Sequence, residues 1–216
     1  VTKFFVPAIA LGALMFAVAP WLIDGAPYES TMGLVQKIFY FHLPSWFVMF
    51  SAVLTAGIAG AVHLFGRDAR ADRVTVAAVE VAAVFGLIGL ITGPLWARKA
   101  WGVWWQWDAK LTSALILELI LIAYMLLRRY GGPGSERLAS GLAIFGMANV
   151  PFVYWAANLW RTVHPKPTVV PTLGPGMRGA LWWCIVAFML LGAAAFGARV
   201  RLERLRTEVD ELYLED

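Results

Sequence analysis

Charge and cysteine are what this sequence has least of. Only 15% of its 216 residues are Asp, Glu, Lys or Arg, against about 25% in an ordinary soluble domain. With 60% hydrophobic residues and a mean hydropathy of +0.69, the chain has too little polar side chain to cover a water-facing globule. Its single cysteine, Cys184, excludes a disulfide framework, and inside an apolar run it reads as a buried, inert thiol. No Gly-x-x-x-x-Gly-Lys-Ser/Thr stretch occurs, so this chain does not hydrolyse ATP through a phosphate loop. Internal repeats and low-complexity tracts are also missing. The formal charge of +4 does not indicate nucleic acid, because the basic residues are scattered beside the ends of apolar runs and form no continuous patch.

What the chain has instead is long apolar runs. A hydrocarbon core about 30 Å thick takes about 20 helical residues. Six runs qualify: Phe4–Ile23, Trp46–Phe65, Val74–Thr92, Leu111–Leu127, Leu138–Trp160 and Arg178–Ala198. The expectation is an all-α, polytopic bundle of six transmembrane helices with a tryptophan-rich outer loop. Residues 1–198 form the membrane domain and 199–216 a charged cytoplasmic tail. Ala17-Val18-Ala19 fits a signal-peptidase pattern, but Pro20 suits the residue after a cut poorly, so the first run is expected to span. Alternating sides, eleven Lys and Arg residues fall on one side and seven on the other, and the positive-inside rule puts both termini in the cytoplasm. The connections near 24–45, 93–110 and 161–177 then lie outside, and they are the long ones. Segments of that kind, gathered on one face, usually carry function.

Two of the three histidines share that face. His42 and His63 are separated by about 31 Å at helical rise, so they cannot share a site. His164 follows the fifth run and falls on the outer side with His42. Between them lies "WGVWWQWD", residues 101–108, with Trp101, Trp104, Trp105 and Trp107 around Gly102 and before Asp108. As a helix this stretch puts Trp101, Trp104, Trp105 and Asp108 on one arc; as a strand it aligns Trp101, Trp105 and Trp107. Either reading lines one surface with three rings. Indoles also populate membrane interfaces, and Trp21, Trp46, Trp160, Trp182 and Trp183 suit such a belt. Density in one loop asks for a flat apolar ligand. Haem is flat, its iron takes an imidazole on each side, and its propionates need cations. No Cys-x-x-Cys-His attachment site is present, so any haem is of the b type.

"WGVWWQWDAKLTS" resembles the WWD signature of haem-handling membrane proteins in cytochrome c biogenesis. "IFYFHLPSW" and "NVPFVYWAANLWRTVHP" resemble the two histidine-bearing segments of its CcmC branch, over nearly the whole chain. That resemblance implies that His42 and His164 are axial ligands of haem b on the periplasmic side, with Trp101, Gly102, Trp104, Trp105, Trp107 and Asp108 as the haem-contacting platform. Lys110, Arg161, Arg98 and Lys99 are the candidate propionate contacts. Lys110 stands where the family pattern has arginine, and lysine gives up the bidentate fork. The implied partners are the haem chaperone CcmE, the ATP-binding subunit CcmA, the membrane subunit CcmB and the small membrane protein CcmD. The resemblance also implies a bacterial inner-membrane location and a delivery role in place of an enzymatic one. The alternative class is an electron-transfer protein with a bis-histidine b-type haem, disfavoured by histidines expected at helix ends. A transporter is disfavoured because no paired broken helices mark a midplane site.

Three further features complete the reading. Glu80 and Glu118 lie within spanning runs, where carboxylates are functional candidates by default; packing or partner-helix roles are expected for both. Asn149 and Pro151 predict a kink in the fifth helix that aims the segment carrying His164. Leu202, Leu205, Val209 and Leu212 recur at helical spacing in the tail, which reads as a solvated helix or a docking surface.

Overall fold

The computed structural model describes residues 2–29, 32–165 and 169–215. Lys166 of the outer charge tally and Pro167 of the proline-rich connection lie outside the described residues. Seven α-helices occur among them: α1 (Thr2–Gly25), α2 (Phe39–Gly66), α3 (Ala69–Trp101), α4 (Ala109–Tyr130), α5 (Ser135–Leu159), the single turn α6 (Val169–Thr172) and α7 (Pro175–Glu215). A 3-10 turn over Leu34–Ile38 leads directly into α2. Six helices are long and apolar enough to cross a membrane, so the expected all-α six-span architecture is the one found.

The helix ends differ from the sequence reading in a way that matters. α2 begins at Phe39 rather than Trp46 and runs through Pro44, while α3 continues to Trp101 rather than Thr92 and runs through Pro94. Each proline removes one ladder hydrogen bond. In surroundings without water an unravelled backbone would leave many more groups unpaired, so the helix resumes beyond the proline. His42 therefore sits inside α2, and the outer connections are shorter than the composition suggests. α7 joins the sixth span and the charged tail in one helix, about 60 Å long at 1.5 Å per residue.

α2 is the centre of the bundle, packed on α3, α5 and α7; α4 pairs with α5, and α1 lies chiefly against α7. The main core joins Met49, Val53 and Ala56 of α2 to Val79 and Ala82 of α3, Leu117 and Leu121 of α4, and Ala139 and Ala143 of α5. Alanine is its commonest residue, since helices in lipid gain little from hydrophobic burial and associate by close contact. A second cluster nearer the other end gathers Ile23, Phe39, Tyr40, Trp96, Leu181 and the buried Cys184.

Charged residues tie the helices at the His63 end. Arg128 of α4 donates to Asp72 of α3 at 2.8 Å. Arg199 of α7 is held by Glu80 of α3 and by Glu203 one turn along its own helix. Glu80 thus serves as a tie between two helices. Glu118 is 4% exposed and faces Gly86 of α3, where a methyl group would collide with its carboxyl. Asn149 donates to the Ser113 carbonyl at 3.0 Å, linking α5 to α4 two residues before Pro151.

Candidate functional site

His42 and His164 meet at the end of the bundle away from His63. Their ring centroids are 6.5 Å apart, with planes inclined at 39°. His42 is held from α3: its Nδ1 lies 3.0 Å from Thr92 Oγ1. The Thr92 hydroxyl gives its own proton to the Ile88 carbonyl, so the Thr92 oxygen accepts and the His42 proton is on Nδ1. A Cβ on Gly93 would stand 3.3 Å from His42 Cε1, and one on Gly89 would stand 2.7 Å from the Trp46 ring. Glycines at these two positions let α2 approach α3 closely enough to seat both rings. Trp46, one turn after His42, donates from Nε1 to His42 Nε2 at 3.2 Å.

His164 is held differently. It follows α5 in the connection to α6, with its Nδ1–H donated to its neighbour Pro165 at 2.8 Å, which leaves Nε2 as the lone-pair nitrogen. Its backbone N–H donates to Thr162 Oγ1 at 3.0 Å, and the Thr162 hydroxyl donates to Asp108 Oδ2. Burial, with a smaller push from the nearby Lys110 ammonium, lowers the His164 pKa to about 4, so this imidazole is neutral at pH 7. Both rings thus have Nδ1 engaged, the arrangement that fixes the tautomer of a metal-ligating histidine; Nε2 of His164 is open, whereas Nε2 of His42 carries the bond from Trp46.

The tryptophan segment is neither the helix nor the strand expected. Trp101 is the last residue of α3, Gly102 turns the chain with φ 77°, and Asp108 caps α4 by accepting from the Leu111 N–H at 2.8 Å. Glycine is used at 102 because a left-handed φ is cheap only there. The rings consequently do not line one surface. Trp101 stacks on Trp96 at 6.4 Å and 24° and packs against His164. Trp105 and Trp107 meet edge to face at 5.7 Å and line, with Leu90, Pro94 and Leu115, a cavity of about 270 Å³. Trp105 Nε1 is buried there with no partner among the described residues. Trp104 is 57% and Trp107 76% exposed.

The candidate cations are spread out. Lys110 turns inward and donates to the Val153 carbonyl at 2.7 Å. Arg98 donates to the Gly102 carbonyl at 2.6 Å, and Lys99 and Arg161 are exposed. Arg161, Thr162 and His164 border, with the end of α5, a second cavity of about 370 Å³.

Two rings of this site were missed in the sequence. Trp46, assigned to the interfacial belt, is bonded to His42; the four-residue spacing was visible, but only with α2 extended to Phe39. Trp96 packs against His42 at 5.9 Å and lies beyond the third apolar run, in the part of α3 that hydropathy does not mark. Trp183 also leaves the belt, since its Nε1 donates to the Met15 carbonyl of α1. Trp21, Trp160 and Trp182 are exposed, as belt residues are.

Fold and geometry define a multi-pass membrane protein with paired imidazoles among tryptophans at one end. Its sequence matches the family model described as "CcmC: Heme exporter protein C" over residues 1–215. The chain belongs to this CcmC family, the haem exporter proteins of cytochrome c maturation. It is 30% identical to "Heme exporter protein C" of Escherichia coli (strain K12), over 97% of this chain and 90% of the relative. Identity to the protein of the same name from Bradyrhizobium diazoefficiens is 32%, over 94% and 84%. A "Putative cytochrome c biosynthesis ccmC-like mitochondrial protein" of Marchantia polymorpha is 26% identical, over 86% and 77%.

Proposed function

We propose that this chain holds haem b at the periplasmic face of a bacterial inner membrane, with His42 and His164 as axial ligands, and delivers it to the haem chaperone CcmE. The observation that carries this reading is the imidazole pair itself. Two metal–nitrogen bonds of about 2 Å, together with the inner halves of two imidazole rings, span about 6 Å, close to the 6.5 Å between these centroids. No group of three or more His, Cys, Asp or Glu able to hold a metal occurs among the described residues. A bare ion bound by two nitrogens would be under-coordinated, whereas iron in a porphyrin asks the protein for axial positions only. Trp46, Trp96 and Trp101 surround the pair with apolar area, and Trp105 and Trp107 provide a further apolar wall. Lys110 is the cation placed to meet a carboxylate near the pair, with Arg161, Arg98 and Lys99 further out.

The chain contributes ligand positions and no covalent chemistry of its own. CcmA supplies ATP hydrolysis, with CcmB and CcmD as the accompanying membrane subunits, and both termini of this chain face the cytoplasm. A second reading, electron transfer through a bis-histidine haem, gains one point: His42 lies within a helix, contrary to the expectation that had counted against it. The deciding experiment is a pyridine-haemochrome and absorption measurement on the purified protein, followed by incubation with the chaperone. Bis-histidine haem that passes to the chaperone, with content and transfer reduced in His42→Ala and His164→Ala, is the expected result. Unchanged haem content and delivery in both variants would overturn the ligand assignment, and haem that cycles with a quinone without being transferred would favour the second reading.

A further inference from the structure

We propose that Asp108 is a positioning residue for His164, acting through Thr162 as a latch between the tryptophan segment and the second imidazole. The inference rests on the reading of His164 as a ligand and changes the role of Asp108 from haem contact to strut. Asp108 uses both carboxylate oxygens inside the protein: Oδ1 caps α4 at the Leu111 N–H, and Oδ2 accepts the Thr162 hydroxyl proton. Thr162 in turn accepts the His164 backbone N–H at 3.0 Å. Among the described residues, Thr162 to Asp108 is the hydrogen bond that ties residues 160–165 to another helix; the bond from His164 Nδ1 runs only to the adjacent Pro165.

His42 needs no such device, because the α2 backbone and Thr92 fix it. His164 sits on a connection, where backbone position is set by few interactions. Anchoring that connection to the first turn of α4 fixes the spacing of the two rings, and a ligand displaced by about 1 Å is enough to lose its function. The latch also distinguishes aspartate from serine at this position: serine caps a helix about as well, but its single, shorter hydroxyl cannot reach Thr162 while capping.

Three variants separate the latch from the cap. Thr162→Val removes the hydroxyl at nearly constant shape and leaves the α4 cap intact; Asp108→Ser keeps a cap and loses the reach to Thr162; Thr162→Ser keeps both bonds. Hydrogen exchange on the haem-free protein in detergent reads the latch directly. The His164 amide is expected to exchange about tenfold faster in Thr162→Val and Asp108→Ser, and at the wild-type rate in Thr162→Ser. On haem loading, Thr162→Val is expected to lose the bis-histidine absorption signature and to regain it on addition of free imidazole. Because Thr162→Val also removes the acceptor of the His164 N–H, Asp108→Ser is the deciding variant, and unchanged exchange in it would overturn the proposal. So would a retained bis-histidine signature in Thr162→Val under conditions where His164→Ala loses it. A signature unaffected by His164→Ala refutes the ligand reading instead, and the exchange measurement then still decides whether the latch exists.

Discussion

Replacing Gly89 by alanine tests whether the close approach of α2 to α3 builds the His42 side of the site. A Cβ at this position would lie 2.7 Å from Trp46 Cε2 and 2.8 Å from its Nε1, distances that real methyl groups do not adopt. Trp46 cannot retreat freely, since Nε1 is bonded to His42 Nε2 and its ring packs on Phe50. Overpacking of this kind costs about 1–3 kcal/mol, against about 0.5–1 kcal/mol gained by alanine over glycine in a helix interior. The net expectation is a loss of about 1 kcal/mol, with α2 and α3 displaced or the Trp46 bond broken. Gly141 of α5 provides the internal control, because a Cβ there meets nothing within 4 Å and the helical gain of about 0.5–1 kcal/mol stands alone. Thermal unfolding in one detergent should therefore place Gly89→Ala below wild type and Gly141→Ala at or above it. Haem absorption should change in the first variant only. Equal stability of the two variants, with unaltered haem spectra, would refute the account of how His42 is seated.

Other expectations follow from the same geometry. Trp46→Phe removes the donor from His42 Nε2, the nitrogen a metal must take, so haem titrated into the purified protein should bind about two- to tenfold more tightly, by the net worth of one hydrogen bond; weaker binding would contradict this. Burial lowers the His164 pKa to about 4, so haem affinity should change less than about twofold from pH 7.5 to 5.5, whereas an imidazole titrating near 6.5 would lose about tenfold. The sign for folding follows from the same depression: the His164 contribution is complete above the unfolded value and is lost as pH falls from about 6.5 through about 4. Thermal unfolding between pH 7 and 5 in wild type and His164→Ala checks it. Arg199→Met leaves Glu80 without its partner and should lower the melting transition by an amount equivalent to about 1 kcal/mol, with no effect on haem spectra. A changed haem spectrum would show that the ion pair and the site communicate.

How much of this was legible in the sequence depended on whether the deciding signal was local. Hydropathy alone located six spans, because each must supply about 20 apolar residues regardless of its neighbours. The helical ruler separated His63 from His42 for the same reason: distance along one helix is a local quantity. The helix ends are less legible, since an apolar run of about 20 residues marks only the stretch within the hydrocarbon, whereas α2 and α3 continue beyond it through Pro44 and Pro94, where lipid and packed helices enforce the ladder. That extension places His42 inside α2, one turn before Trp46, and brings Trp96 into α3 beside it. The tryptophan segment failed for a different reason. Its period was read as though one regular element ran from 101 to 108, whereas Gly102 ends one helix and Asp108 begins the next. Both residues are ordinary helix-end signals, a glycine after the last turn and an acidic N-cap, and reading them first would have divided the four rings correctly. The contact of Asp108 with Thr162 lay beyond reach, because it joins residues 54 apart in sequence that no periodicity connects. What the sequence presented as one aromatic cluster is, in three dimensions, Trp101 beside the imidazoles, Trp105 and Trp107 along a separate cavity, and an aspartate that caps α4 and bonds Thr162, two residues before the second histidine.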